Sequence, residues 1–159
     1  MSMDNVAVRL GIHELIGDYA ERIDEDRLEE WPDLFTEKCR YLVISRANHE
    51  AGMRQGIMYC ASRGMLLDRV FAIRRANLFE PHRYRHVISP IRVKSVADGI
   101  AVVHSHFMVA RIMQDGTTML FATGRYLDQI DISGTAYRFK DRIVVLDSEK
   151  IDTLLAIPL

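Results

Sequence analysis

The sequence predicts an α+β fold in which N-terminal helices pack on one face of a strongly curved, mostly antiparallel sheet. Two observations support this prediction. Apolar residues recur at three- and four-residue steps in the first half of the chain, and β-branched and aromatic residues dominate after Pro81. Helices followed by a run of strands are typical of α+β domains. The 159 residues fit a single domain, which we expect to span residues 1–159.

Two helical segments are predicted before the first strand. The first has an apolar face with charged residues between its members, which are Ile12, Leu15, Ile16, Tyr19, Ala20 and Ile23. The second covers residues 27–37, and Pro32 should break or restart it. Asp24 to Asp26 lie between the two segments as an acidic hinge, and the simplest interpretation is a solvated helix end.

A strand and a third helix follow. Residues 39–46 are rich in β-branched and aromatic types, and the chain through Gly52 to Gly56 is predicted to be an exposed loop. Ser62 can cap a helix that runs to about Asn77. Its predicted buried stripe is Leu66, Leu67, Val70, Phe71 and Ile73, while Arg69, Arg74 and Arg75 are predicted to be solvated.

The rest of the chain is predicted to be a meander of long strands. Three turn dipeptides, Asp98-Gly99, Asp115-Gly116 and Ser133-Gly134, recur at nearly equal spacing. Such dipeptides between apolar runs favour hairpins.

The net charge of −1 conceals an uneven distribution. Residues 1–38 hold eleven acids and four bases, whereas residues 63–94 hold eight bases and two acids. The two segments are predicted to pair with each other or to face another chain. A basic surface balanced in this way does not indicate nucleic-acid binding.

The expected setting is the cytoplasm. No apolar stretch reaches the length of a membrane span and no secretory signal is visible, so no membrane partner is expected. Cys39 and Cys60 are too few for a spaced metal motif and agree with a reducing compartment.

The histidines do not predict a metal site. His82 and His86 have helical zinc spacing, but their neighbours predict a strand, which separates them by about 13 Å. His104 and His106 alternate on one strand and share a face, but no third ligand is identifiable. The simpler interpretation is that both border an apolar concavity and are hydrogen-bonded.

Two further possibilities remain open. Asp24 beside a pocket could act as a general base with His86 as its partner, as in an isomerase or a dehydratase. Alternatively, Arg83, Tyr84, Arg85 and the other bases between Arg63 and Arg92 could form a protein contact surface, since arginine and tyrosine are favoured there. The sequence contains no nucleophile elbow, phosphate-binding glycine loop or dinucleotide fingerprint.

Four stretches of the chain resemble a known family. They are YAERIDEDRLEEWPDLFTEKCRY (Tyr19 to Tyr41), MLLDRVFAIRRAN (Met65 to Asn77), RHVISPIRV (Arg85 to Val93) and RIVVLDSEKIDTLLAIPL (Arg142 to Leu159). With these stretches, the chain resembles the small, or beta, subunit of aromatic-ring-hydroxylating dioxygenases over nearly its full length.

The resemblance implies an NTF2-like cone and a structural role. In that family a large alpha subunit carries a Rieske [2Fe-2S] centre and a mononuclear iron and dihydroxylates an aromatic ring. The small subunit usually forms a trimer beneath it, so the expected assembly is α3β3. No catalytic, cofactor or metal residue is therefore expected in this chain. The competing hypothesis is a stand-alone NTF2-like isomerase or dehydratase that uses Asp24 and His86 in the cone pocket.

Overall fold

Three helices and a 3₁₀ helix pack against a seven-stranded sheet. The computed structural model describes residues 3–75, 79–151 and 155–159. The helices are α1 (Met3–Asp24), the 3₁₀ helix (Leu28–Leu34), α2 (Arg46–Glu50) and α3 (Arg63–Arg75). The strands are β1 (Phe35–Ser45), β2 (Met58–Cys60), β3 (His82–Ile88), β4 (Arg92–Ala97), β5 (Ile100–Met113), β6 (Thr118–Asp131) and β7 (Arg138–Leu146).

The sheet is mixed. Its strand order is β2-β1-β7-β6-β5-β3, and β4 also pairs with β5. All neighbouring pairs are antiparallel except β1 and β7, which run parallel. The three predicted hairpin turns are confirmed. At the first of them Asp98 and Gly99 both have positive φ, 51° and 74°, as the two central residues of a type I′ hairpin turn require.

The helical predictions are confirmed with corrections. Ser62 accepts a hydrogen bond from the backbone N of Met65 and so caps α3. Leu67 and Phe71, predicted to be buried in α3, are exposed. Arg69, predicted to be solvated, is half-buried because its guanidinium donates to the carbonyl of Leu155. The predicted end of this helix near Asn77 lies outside the described residues.

Two short elements were not predicted. The stretch through Gly52 to Gly56 that was predicted as a loop is preceded by α2, which is capped by the hydroxyl of Ser45, and is followed by the strand β2. The segment predicted to be helical over residues 27–37 is a 3₁₀ helix with Pro32 inside it, and β1 already begins at Phe35. Such short elements depend on tertiary contacts rather than on local periodicity.

The core lies between the helices and the inner, concave face of the sheet. Aromatic rings fill it in edge-to-face arrangements; they include Tyr19, Trp31, Phe35, Tyr41, Tyr126 and Phe139. Gly124 has no side chain at the point where the ring of Phe107 passes close to the backbone of β6. A Cβ there would lie 2.1 Å from the carbonyl oxygen of Val145 and 3.0 Å from the ring of Phe107. Because Gly124 has no Cβ, the ring of Phe107 can stack on the ring of Tyr126.

Candidate functional site

Asp24 and His86 form a buried pair at the junction of α1 and β3. The Asp24 carboxylate accepts from the backbone N of His86 at 2.8 Å and contacts its ring Nδ1 at 2.6 Å. The side chains are 3% and 0% exposed. The interpretation of Asp24 as a solvated helix end is therefore wrong. Asp24 and His86 do lie within hydrogen-bond distance of each other, as the partnership hypothesis requires.

The end of α1 turns Asp24 inward. Asp26 has a left-handed φ of 58°, and the backbone N of Asp26 and of Arg27 donate to the carbonyls of Ile23 and Arg22. This is a Schellman motif, which closes a helix within one turn. The helix therefore stops where the carboxylate of Asp24 meets β3.

Asp24 and His86 are the residue types of a general-base pair, but neighbouring side chains enclose the imidazole. With Nδ1 donating to the carboxylate, Nε2 of His86 would be the proton acceptor. Among the described residues, no hydrogen-bond partner contacts that atom. The rings of Tyr19 and Tyr84 lie 6.5 and 6.1 Å from the imidazole.

Two tyrosines hold the tail of the chain inside the cone. The hydroxyls of Tyr19 and Tyr41 donate to the carbonyl of Leu159 at 2.5 and 3.0 Å, and the backbone N of Leu159 donates to Tyr41. Residues 155–159 are all buried. Burial raises the pKa of Tyr19 to about 12 and that of Tyr41 well above its ordinary value. Both remain neutral hydrogen-bonding groups.

A second buried pair crosses the inner face of β6 and β7. The Nε atom of Arg142 lies 3.1 Å from Oδ1 of Asp128, and both side chains are 0% exposed. The guanidinium carbon lies 3.8 to 4.3 Å from the ring centroids of Tyr19, Tyr126 and Phe139, within the range of cation–π attraction. Burial raises the pKa of Asp128 to about 7, although the Arg142 charge opposes the shift.

A cavity of about 550 Å³ lies between the C-terminal ends of α1 and α3 and the start of β3. Asp24, Arg74, His82 and Tyr84 contribute to its lining, and the rest is mostly apolar. His86 does not reach its wall. Asp24 therefore borders the cavity, but its histidine partner lies behind that wall.

The oppositely charged segments pair within the chain, as one alternative predicted. Arg63 contacts Asp33 and Glu37, and Arg74 contacts Asp26 and Glu29. These bridges join α3 to the segment around the 3₁₀ helix.

The other predicted site residues lie apart. His82 and His86 share a strand, as expected, and the ring of His82 contacts the carbonyl of Glu80. His104 and His106 are on the outer face of the sheet, in the phase of β5 opposite to the buried residues Val103 and Phe107, so the prediction that they border an apolar concavity is wrong. Tyr84, predicted to belong to a contact surface, is buried.

Within the described residues no group of three or more His, Cys, Asp or Glu is placed to hold a metal ion. Cys39 and Cys60 are free and buried, and burial raises the pKa of both thiols. The donor set does not fit an iron–sulfur cluster, which needs thiolates and, in a Rieske centre, two histidines.

Sequence reasoning missed Arg142 and Asp128. A weak signal was present, because Asp128 shares the alternation phase of Tyr126 and Ile130, and Arg142 shares that of Val144 and Leu146. A charged residue in the apolar phase of a strand predicts a buried ion pair.

These features define a class: a helix-covered conical sheet whose interior polar groups are mostly engaged by one another and by the chain's own tail. Residues 19–153 match the family model described as ring hydroxylating beta subunit. The chain belongs to this family of ring-hydroxylating dioxygenase beta subunits.

Individual relatives agree. The chain is 43% identical over 141 residues to subunit beta 2 of the terminal oxygenase component of terephthalate 1,2-dioxygenase from Comamonas sp., covering 89% of this chain and 92% of the relative. It is 34% identical over 148 residues to the anthranilate 1,2-dioxygenase small subunit of Burkholderia cepacia, covering 93% and 92%.

Solved structures confirm the fold. A Novosphingobium aromaticivorans protein described as the beta subunit of an aromatic-ring-hydroxylating dioxygenase superposes with a TM-score of 0.90 at 37% identity, covering 99% of this chain and 100% of that one. A protein from the same organism described as a scytalone dehydratase superposes with a TM-score of 0.73 at 20% identity, covering 99% and 95%. The second likeness concerns the NTF2-like fold alone. In the described part of the chain, no helix has the length and apolarity to cross a membrane.

Proposed function

We propose that this chain is the structural, non-catalytic subunit of an aromatic-ring dioxygenase and that it holds an iron-containing alpha subunit in an α3β3 assembly. Its relatives are named as subunits of dioxygenases, which supports a role inside an enzyme complex. The chain acts in this proposal as one domain, residues 1–159, in the cytoplasm, where its two free cysteines stay reduced.

The enclosure of His86 behind the cavity wall and of the Asp128–Arg142 pair is the observation that carries the non-catalytic role. The side chains of His86, Asp128 and Arg142 are fully buried, and the main chain of Leu159 occupies two tyrosine hydroxyls. A catalytic group must be reachable by its substrate within hydrogen-bond distance. We therefore assign no catalytic, cofactor or metal residue to this chain.

The cofactors belong, in this proposal, to the alpha subunit. That subunit would carry the Rieske [2Fe-2S] centre and the mononuclear iron that together activate O₂. The described residues support this division, because no group of three or more His, Cys, Asp or Glu among them is placed to hold a metal ion.

An aromatic carboxylate is the proposed substrate class of the complex. Terephthalate and anthranilate, which name the two relatives, are both benzene rings that carry a carboxylate. The substrate would bind in the alpha subunit, so the small subunit would influence turnover through assembly rather than through contact with the ring.

Co-expression with a large oxygenase subunit from the same genome tests the proposal. We expect the two chains to co-purify in equal numbers, with all of the iron in the larger chain. Substrate-dependent oxygen uptake should require both chains together with a reductase. A small subunit that never binds the larger chain, or a larger chain that is equally active and stable alone, would contradict the proposal.

The contact between Asp24 and His86 favours one second candidate, a stand-alone isomerase or dehydratase. His86→Asn separates the two. In the structural proposal, this variant retains oxygen uptake per assembled complex, even if assembly is less stable. An isomerase or dehydratase activity of the isolated small subunit that is lost in His86→Asn and retained in His82→Asn would favour the enzyme instead.

A further inference from the structure

Basic side chains cluster on the outer face of the sheet. Arg92 lies opposite His104 on the neighbouring strand, and His106 lies opposite Arg125. The positive charges of Lys94 and Arg125 contribute to lowering the pKa of His104, after burial, which places them near the same imidazole. We call these five residues the outer basic cluster.

The outer basic cluster has no acidic partner. Across the described ranges 3–75, 79–151 and 155–159, none of its members forms an ion pair. Asp147 lies at this side of the sheet, but Arg46 and the hydroxyl of Thr123 already bind its carboxylate. The permanent positive charges of Arg92, Lys94 and Arg125 are therefore uncompensated within the part of the chain that the structure describes.

An apolar patch continues the same face. Val87 lies opposite Met108, and Leu120 lies on β6 opposite Ala110, one row further along. Val87, Met108 and Leu120 are 57%, 48% and 63% exposed. Along β5 the outward residues thus change from basic, at His104 and His106, to apolar. We call the second part the outer apolar patch.

Helix α1 has an exposed stripe of complementary character. Val6, Leu10, Glu14 and Asp18 follow at four-residue steps and are all exposed, so they share one face of the helix. Val6 and Leu10 are 53% and 60% exposed. Neither Glu14 nor Asp18 has an ion-pair partner in the part of the chain that the structure describes. We call these four residues the α1 stripe.

We propose that the α1 stripe of one copy docks on the outer face of the sheet of the next copy. The apolar end would cover the outer apolar patch, while Glu14 and Asp18 would meet the outer basic cluster. The stripe is about 18 Å long, and the outward residues from His104 to Met108 alone span about 14 Å. This inference rests on the proposed self-association and names the two surfaces that would form it.

The contact is head-to-tail, because two different surfaces meet. Such a contact closes into a ring when the rotation between copies allows it and otherwise gives an open filament. A trimeric ring would use each outer face and each α1 stripe once. The pairing of opposite charges would set the register, and burial of the apolar ends would supply most of the affinity.

Cysteine cross-linking tests the contact directly. The variant with Leu10→Cys and Met108→Cys should form disulfide-linked oligomers under mild oxidation, whether the full chain is alone or bound to the alpha subunit. Neither single substitution should give these disulfide-linked oligomers. The matched control combines Leu10→Cys with Ala51→Cys, an exposed position beyond α2, and should stay unlinked. A trimer in which the Leu10 and Met108 cysteines never link would overturn the inference.

Charge exchange tests the register. His106→Glu with Arg125→Glu, and separately Glu14→Arg with Asp18→Arg, should each weaken self-association about 100-fold or more in sedimentation experiments. The chain with all four substitutions should regain most of it, and Arg54→Glu should have no effect. An unchanged dissociation constant in both pairs, or no recovery in the fourfold variant, would overturn the inference.

Co-purification separates this inference from the proposed function. The variant His106→Glu with Arg125→Glu could abolish binding of the alpha subunit while the small subunits stay associated. In that case the alpha subunit occupies the outer face of the sheet and the inference is wrong, although the proposed function stands. If the chain binds no alpha subunit but cross-links as expected, the proposed function fails and the contact stands. Unfolding curves of each variant verify that the chain remains folded.

Discussion

The inner and outer faces of the sheet treat charge in opposite ways. On the inner face, Arg142 has both a carboxylate and three aromatic rings around it. On the outer face, Arg125 lies beside other bases, and no acid contacts it among the described residues. A charge that is buried within the chain must be compensated there, whereas an exposed charge is solvated and can pair with a charge on another chain. The inner pair therefore stabilises the fold, and the outer cluster is available for assembly.

Breaking the inner pair should have the largest effect. Asp128→Ala leaves the Arg142 guanidinium buried without its counter-charge, and we expect a loss of about 3–5 kcal/mol of unfolding free energy. Urea denaturation at pH 8 measures it. The double variant Asp128→Leu with Arg142→Met removes both charges and should recover much of the loss. A single variant that costs under about 1 kcal/mol would show that the pair is hydrated.

Crowding the inner face should have the next largest effect. A methyl group at Gly124 would meet the carbonyl oxygen of Val145 and the ring of Phe107, so Gly124→Ala should cost about 1–3 kcal/mol. Gly17 on α1 has no neighbouring atom within 4 Å of the added carbon. Gly17→Ala should therefore stabilise the chain by about 0.5–1 kcal/mol. Equal effects of the two substitutions would contradict this view of the packing.

Local patterns predicted the parts of the fold that depend on local interactions. The apolar periodicity of α1 and the three turn dipeptides were sufficient, because helices and hairpins form between residues close in sequence. The parallel pairing of β1 with β7 joins residues about a hundred positions apart, for example Tyr41 and Arg142. No local signal carries such a pairing.

The site was predicted in part for the same reason. Asp24 and His86 were named as partners by chemistry, but only the closure of α1 against β3 buries them. His104 was placed on the wrong face because β5 is apolar in both phases, with Ala101 and Val103 inward and Ile100 and Val102 outward. Where both faces are apolar, alternation cannot distinguish the core from a surface.

Removing one outer charge should change titration more than stability. Burial and then Lys94, Arg125 and His106 lower the pKa of His104, so Arg125→Gln should raise it. A histidine whose folded pKa is lowered contributes stability that is lost as the pH falls through its unfolded value, about 6.5. The variant should therefore lose less stability than the wild type between pH 7 and 5.5.

NMR titration of the histidine rings, with unfolding curves at the two pH values, measures both effects. At pH 7 the change in unfolding free energy should stay within about 0.5 kcal/mol. Arg54→Gln, in an exposed loop, is the matched control. A pKa of His104 that falls or stays constant in Arg125→Gln would place the two residues too far apart for the outer basic cluster.

The smallest effect should be that of a thiol reagent on the native chain. Cys39 points toward the core, and burial raises its pKa to about 11. At pH 8 about one thiol in a thousand is then ionised, and the thiolate is the reactive form. Neither Cys39 nor Cys60 should react with iodoacetamide until the chain is unfolded in urea, whereas the exposed thiol of Ala51→Cys should react within minutes. Rapid labelling of Cys39 in the native chain would mean that the inner face opens more readily than its enclosed ion pairs imply.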